Sequence, residues 1–349
     1  MTKGLRATVP EGSLRAMSDL ARYRLTLVLL GAAVAALFLA SLLIGPADLP
    51  VGASLRALVL GDGGPMTLVL REIRLPRAAL GLLIGAALGL SGAALQGYLR
   101  NPMAEPGLLG VSGAAALGAV VALYTGLAAA FPLALPLAAL ASALAAALLV
   151  QGLAGAGASS VTLILAGLAV SSLSGALTAL VLNLAPNPFA ASEIVYWLMG
   201  SLVDRSLPHL WLAAPFILGG CALLFALGPA LDALTLGEEA AASLGVSLRR
   251  VRFLAVTGTA LAVGAGVAVA GAIGFVGLVA PHALRPLVGH RPARLLPASA
   301  LGGAALLLLA DVAVRLIAPE RDLKLGVMTA LAGAPIFLHL VWRRRRDPA

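Results

Sequence analysis

The chain has 349 residues, of which 60% are hydrophobic and only 11% charged, with a net charge of +9. Soluble domains carry about 25% charged residues, so this composition leaves no room for a soluble catalytic domain of useful size. The basic residues stand in short clusters between apolar runs without aromatic interleaving, which excludes a nucleic-acid-binding reading, and a single cysteine, Cys221, excludes a disulfide framework or a cysteine metal site.

The first apolar run, Leu25 to Ile44, carries no charge and lacks a small-residue cleavage site. It is too long for the core of a signal peptide and is predicted to stay as a membrane helix. Residues 1–24, with Lys3, Arg6, Arg15, Arg22 and Arg24, form a basic tail held in the cytoplasm. The next run, 78–98, repeats glycine every four residues at Gly81, Gly85 and Gly89, a pattern that lets helix backbones meet closely. From Pro106 to Ser192 there is no Asp, Glu, Lys or Arg. At about 20 residues per crossing this stretch holds about three spans. They are predicted at 107–130, 133–153 and 160–184, with breaks at Phe131-Pro132, at 155–160 and at Pro186-Asn187-Pro188.

A sixth run covers 209–230. Phe253 to Pro281 is long for one crossing and short for two, and Gly271 and Gly274 are the predicted break, giving 253–272 and 273–288. Runs at 296–317 and 325–342 complete the set, followed by the basic tail 343–349. Both tails are cytoplasmic by the positive-inside rule, which requires an even number of crossings. The expectation is an all-α membrane protein, one domain over 25–342 built as a bundle of about ten transmembrane helices.

Three segments break the apolar pattern. Arg71, Arg74 and Arg77 fall on the outer side, where positive charge opposes the orientation bias; they read as snorkelling anchors or as a docking patch for an acidic partner. Between the sixth and seventh spans, Gly237 and Gly245 bracket a short Ala-rich helix that opens with Glu238 and Glu239, where the helix dipole favours carboxylates. Its apolar residues, Ala240 and Leu244 among them, suit a groove on another protein better than water. Asp311 and Arg315 stand four apart and can pair along one helix face, the arginine joining the outer basic patch.

The absences are equally informative. Lys3 and Lys324 are the only lysines and neither follows a G-x-x-x-x-G run, so the chain has no P-loop. His209, His282, His290 and His339 form no H-E-x-x-H pair, and no catalytic or metal-binding residue is assigned. No row of intramembrane acids offers the proton or sodium relay of a secondary transporter, which, with a passive channel, is the rival class.

Five ordered stretches resemble the FecCD-type permeases of ABC importers for iron siderophores, haem and cobalamin. They are Leu88 to Gly97 with Arg100 to Ser112, Tyr196 to Leu202, Leu236 to Val246, Gly274 to His282 and Thr329 to Pro335. The resemblance spans about 25 to 342. It implies the transmembrane subunit of a type II ABC importer in the bacterial inner membrane, working as a homodimer with a central pathway. It also implies two cytoplasmic ATPase chains that bind ATP and Mg, and a periplasmic binding protein that delivers the chelate, so that this chain needs no cofactor of its own. Segment 236–246, with Gly237, Glu238, Glu239, Ala240, Leu244 and Gly245, corresponds to the coupling helix, and Arg74, Arg77 and Arg315 correspond to the arginines that meet acidic side chains of the binding protein. The cargo expected on the breadth of the family is an iron chelate, a ferric siderophore or haem, with cobalamin as the alternative.

Overall fold

The computed structural model describes residues 11–45, 50–61, 64–131, 133–155, 159–318 and 323–344. Lys3, Arg6, Pro132, Arg345 and Arg346 and the predicted break at 156–158 lie outside the described residues. Among the described residues every regular element is a helix. In chain order these are α1 (Glu11–Leu43), α2 (Val51–Leu60), α3 (Pro65–Leu68), α4 (Leu75–Tyr98), α5 (Val111–Tyr124), α6 (Leu127–Ala130), α7 (Ala134–Ala154), α8 (Ser160–Asn183), α9 (Pro188–Leu198), α10 (Leu207–Phe225), α11 (Gly228–Leu234), α12 (Glu238–Ser243), α13 (Leu248–Ala270), α14 (Val276–Leu284), α15 (Pro292–Ile317) and α16 (Leu325–Arg344). Seven helical stretches are long and apolar enough to cross a membrane, and α5, α14 with its 3₁₀ extension, and α16 are shorter apolar helices.

The second of the seven runs unbroken from Pro65 to Tyr98 through a π-helical turn, Val69–Arg74, that joins α3 to α4. Pro76 follows that turn, and its missing N–H removes one regular α-helical bond, which a widened turn tolerates. The helix therefore begins well before the predicted 78. The third predicted span is shortened for a local reason. Pro106–Leu109 forms a 3₁₀ turn, Gly110 sits in the left-handed region at φ 72°, and α5 proper runs only from Val111 to Tyr124 before Gly126 at φ 74°. The break between α13 and α14 falls at Gly271, φ 73°, as expected. Residues 271–274 lie between the helices as predicted, and Phe275, φ 64°, precedes α14 in the left-handed region. The Phe275 ring lies where a Cβ on Gly333 of α16 would go.

Helices α4 and α13 form the core: 78% of each one's most apolar stretch is buried, against 17% for α1 and 22% for α8, whose outer faces are left for lipid. The glycine pattern of α4 does what its spacing predicts. A Cβ on Gly85 would meet the Gly303 carbonyl at 2.5 Å, and one on Gly89 would overlap the Ser299 carbonyl, so α4 and α15 cross almost backbone to backbone. α4 holds 24 residues, which at 1.5 Å per residue separates its ends by about 36 Å. Arg74 and Arg77 mark one end, with the close of α1 and of α15. Tyr98 marks the other, with the start of α15 and α12.

Candidate functional site

At the Tyr98 end, α12 is a short helix held rigid at both termini. Gly237, φ 108°, precedes it, and Gly245, φ 85°, follows it. Val246 donates its N–H to the Ala241 carbonyl at 3.0 Å and Gly245 donates to Ala242 at 2.9 Å, a complete Schellman closure that a residue with a Cβ at Gly245 would strain. Ala241 is fully buried and anchors the helix, whereas Glu238 and Glu239 are exposed at its positive end and Leu236 and Leu244 are two-thirds exposed on either side. Leu244 lines a groove of about 500 Å³ of mixed character, shared with Leu227, Ala230, Leu254, Ser247 and Arg250. Acidic groups and flanking leucines beside a groove make α12 an exposed knob.

Two further features of this end were not legible in the sequence. Asp232 of α11 accepts the Ala293 N–H at 2.8 Å, capping the start of α15 from a different element, since Arg291 at the cap position makes no side-chain bond. Arg285 donates to the Gln96 side-chain amide oxygen, Oε1, at 2.6 Å, tying the α14 extension to α4. In the loop before the 3₁₀ turn at 106, burial pushes the Glu105 carboxyl above the usual carboxylate range.

At the Arg77 end the structure brings the three predicted arginines to the close of α1, two of them on one carboxylate. Asp311, 1% exposed, accepts from Arg77 Nε at 2.8 Å and pairs with a second Arg77 nitrogen at 2.7 Å, while its other oxygen takes Arg315 at 2.5 Å. The predicted Asp311–Arg315 pair exists. Arg315 also donates to the carbonyls of Ser41 at 2.8 Å and Ile44 at 2.6 Å and to the Ser41 hydroxyl at 2.6 Å. Arg74, 4% exposed, donates to the carbonyls of Leu42 at 3.0 Å and Leu43 at 2.6 Å. These four carbonyls close α1 and have no partners within it, and the negative end of a helix dipole favours cations. The arginines are turned inward as a clamp on α1, with only Arg77 partly open, its side chain 15% exposed. Arg71 packs over Gly61 at the end of α2.

Beside this clamp, loop 199–206 joins α9 to α10. Gly200, φ 72°, lies against the Ala272 carbonyl, and Ser206 and His209 hold each other at 3.0 Å as the cap of α10. Arg205 sits in this loop, half-buried, where sequence reasoning assigned nothing. Among the described residues no group of three or more His, Cys, Asp or Glu stands together as a metal site.

Residues 33–343 match the FecCD transport family. The chain is 39% identical over 277 residues to the cobalamin import permease BtuC of Halobacterium salinarum, covering 78% of this chain and 73% of that one. It is 38% identical over 277 residues to the Fe(3+) dicitrate permease FecD of Escherichia coli, covering 79% and 86%. A solved structure described as the inward-facing conformation of a metal-chelate type ABC transporter superposes with a TM-score of 0.79 at 32% identity, over 92% of this chain and 99% of that chain. With its apolar spans, the chain is a multi-pass protein of the bacterial inner membrane.

Proposed function

This chain belongs to the FecCD transport family, and from that premise we propose that it is the permease subunit of an ATP-driven importer of an iron chelate. Two copies pair around a central pathway, two cytoplasmic ATPase chains bind ATP and Mg, and a periplasmic binding protein delivers a ferric siderophore or haem. One observation supports this reading above the others: an acid-led, glycine-bracketed helix, α12, stands exposed about 36 Å along α4 from a cluster of arginines. A membrane chain with a rigid knob at one end and a cationic cluster at the other suits a part driven from one side and loaded from the other. Its lack of a P-loop assigns the hydrolysis to a separate chain.

In this reading the Arg77 end faces the periplasm, both termini are cytoplasmic, and the three shorter apolar helices complete about ten crossings. Residues 25–342 act as the single permease domain between a tail at 1–24 and another at 343–349. Gly237, Glu238, Glu239, Ala240, Leu244 and Gly245 couple to the ATPase. Arg74, Arg77 and Arg315 meet the binding protein. To do so they exchange Asp311 and the α1 carbonyls for the partner's carboxylates, and Arg77, the most open, meets it first. Cobalamin is the second reading, because the cobalamin permease of Halobacterium salinarum is as similar as the ferric dicitrate one.

The test is reconstitution in lipid with the ATPase and binding protein. Chelate-loaded binding protein should stimulate hydrolysis and nucleotide-dependent uptake, and the chelate that stimulates most identifies the cargo. Solute flux through the chain alone, without nucleotide or partners, would overturn the assignment.

A further inference from the structure

The loop at 199–206 places an arginine at the Arg77 end under different terms from the clamp beside it. Ser201 donates its N–H to the Ala270 carbonyl at 2.7 Å, Gly326 donates to the Gly200 carbonyl at 3.3 Å, and Leu202 lies over Gly81, one turn along α4 from Arg77. So pinned, the loop fixes Arg205 close to the end of the bundle. The Arg205 Nε is sealed from solvent with no hydrogen-bond partner, and among the described residues no carboxylate lies within ion-pair distance of the guanidinium.

The neighbours cannot supply what is missing. Asp204 is exposed with a left-handed backbone, φ 57°, and makes no bridge to Arg205. Ser206 and His209 are committed to each other. Asp311 is already shared by Arg77 and Arg315. Burial lowers the Arg205 pKa, offset in part by the nearby Asp204 charge. Arg56, at the same end, is solvated. A buried N–H is ordinarily hydrogen-bonded, and the Arg205 Nε–H, kept from water without an acceptor while the rest of the guanidinium stays half-open, is a standing cost that a pinned loop sustains only by holding it in place.

We propose that Arg205 is an anion-receiving residue, whose fork takes a carboxylate presented at the Arg77 end by the chelate or by the docked binding protein. The inference rests on the transport reading above. Arginine suits the role because its planar fork matches a carboxylate with two parallel bonds, which a lysine cannot reproduce.

The experiment uses the complex with its ATPase and binding protein in lipid nanodiscs, comparing wild type with Arg205→Met and Arg205→Lys. Arg205→Met should cost about tenfold or more, as expected for a charge-assisted bond. If the carboxylate belongs to the binding protein, the loss is in affinity for the chelate-free binding protein. If it belongs to the cargo, that affinity is unchanged and the loss is in chelate-dependent ATPase stimulation. Arg205→Lys should recover only part of either. Removing a half-buried side chain whose Nε–H has no acceptor should leave the melting temperature of the detergent-solubilised permease equal or higher. A melting temperature lowered by several degrees in Arg205→Met would make the arginine structural, and a folded Arg205→Lys indistinguishable from wild type in both assays would remove the fork; either overturns the proposal. Failure of the transport reading looks different, since wild type itself would then show no nucleotide-dependent uptake.

Discussion

The two ends of α4 treat charge in opposite ways. At the Arg77 end, three arginines, one aspartate and four helix carbonyls satisfy one another inside the protein. At the Tyr98 end, Glu238 and Glu239 face outward with no internal ion partner among the described residues, over a helix anchored by a buried alanine. Charge used internally stabilises the fold and is costly to alter; charge offered outward contributes little to stability and is free to serve a partner. Each end can therefore be broken with a different signature.

The largest effect should come from Asp311→Asn, which leaves the guanidinium groups of Arg77 and Arg315 half-buried without their counter-ion. Losing one partner of a buried pair costs about 3–5 kcal/mol. The expected outcome is a marked fall in melting temperature in detergent with loss of the α1 clamp. A variant as stable as wild type would show that the network contributes nothing. Next comes the shaft between the ends. Gly89→Val places a branched side chain on the Ser299 carbonyl and should separate α4 from α15, an overpacking cost of about 1–3 kcal/mol. Gly97→Ala, whose Cβ meets the flexible Leu231 side chain at 3.3 Å and Pro292 Cβ at an ordinary 3.6 Å, should be tolerated far better. Equal effects at the two sites would refute backbone-to-backbone packing.

That shaft was readable in the sequence, because a four-residue glycine repeat in an apolar run has one physical use, close helix approach. The short α12 was readable too, since glycines on both sides of an acid-led Ala-rich hexamer fix where a helix starts and stops. The clamp was half legible. Asp311 and Arg315 are one turn apart and their pairing is local, but the third member, Arg77, is 234 residues away and reaches Asp311 only because α4 and α15 run side by side. Nothing in the sequence marks Ser41 as part of the clamp or Asp232 as the cap of α15, as both bonds link elements distant in the chain. The α13–α14 break was legible too, because Gly271 and Gly274 interrupt the apolar run where the helix stops, but the positive φ of Phe275 beside it was not, since nothing local to an aromatic residue marks it for that conformation.

At the outward-facing end the signature inverts. Glu238→Arg with Glu239→Arg should leave the melting temperature within the range of surface substitutions, about 0.5 kcal/mol, while abolishing stimulation of the ATPase by loaded binding protein. A double variant that still couples would remove α12 from the proposed drive. Gly245→Ala tests the same element through its backbone, since a Cβ at φ 85° costs about 1–2 kcal/mol in a left-handed position. It should weaken coupling without touching a charge.

The smallest effect is a pH dependence at Glu105, a half-buried carboxyl near the Tyr98 end that neither pairs internally as Asp311 does nor faces fully outward as Glu238 does. Burial raises its folded-state pKa above the unfolded value, so the folded chain holds the proton more tightly than the unfolded one. The stabilisation this gives is complete below the unfolded carboxylate range, about pH 4.3, and is lost as pH rises through the folded value. Glu105→Gln keeps the shape and removes the titration, so at neutral pH it should melt above wild type, and the gap should close on acidification. A gap that stays constant between acid and neutral pH would mean that the carboxylate is solvated in the working protein, and the loop before the 3₁₀ turn would then belong with the outward-facing set.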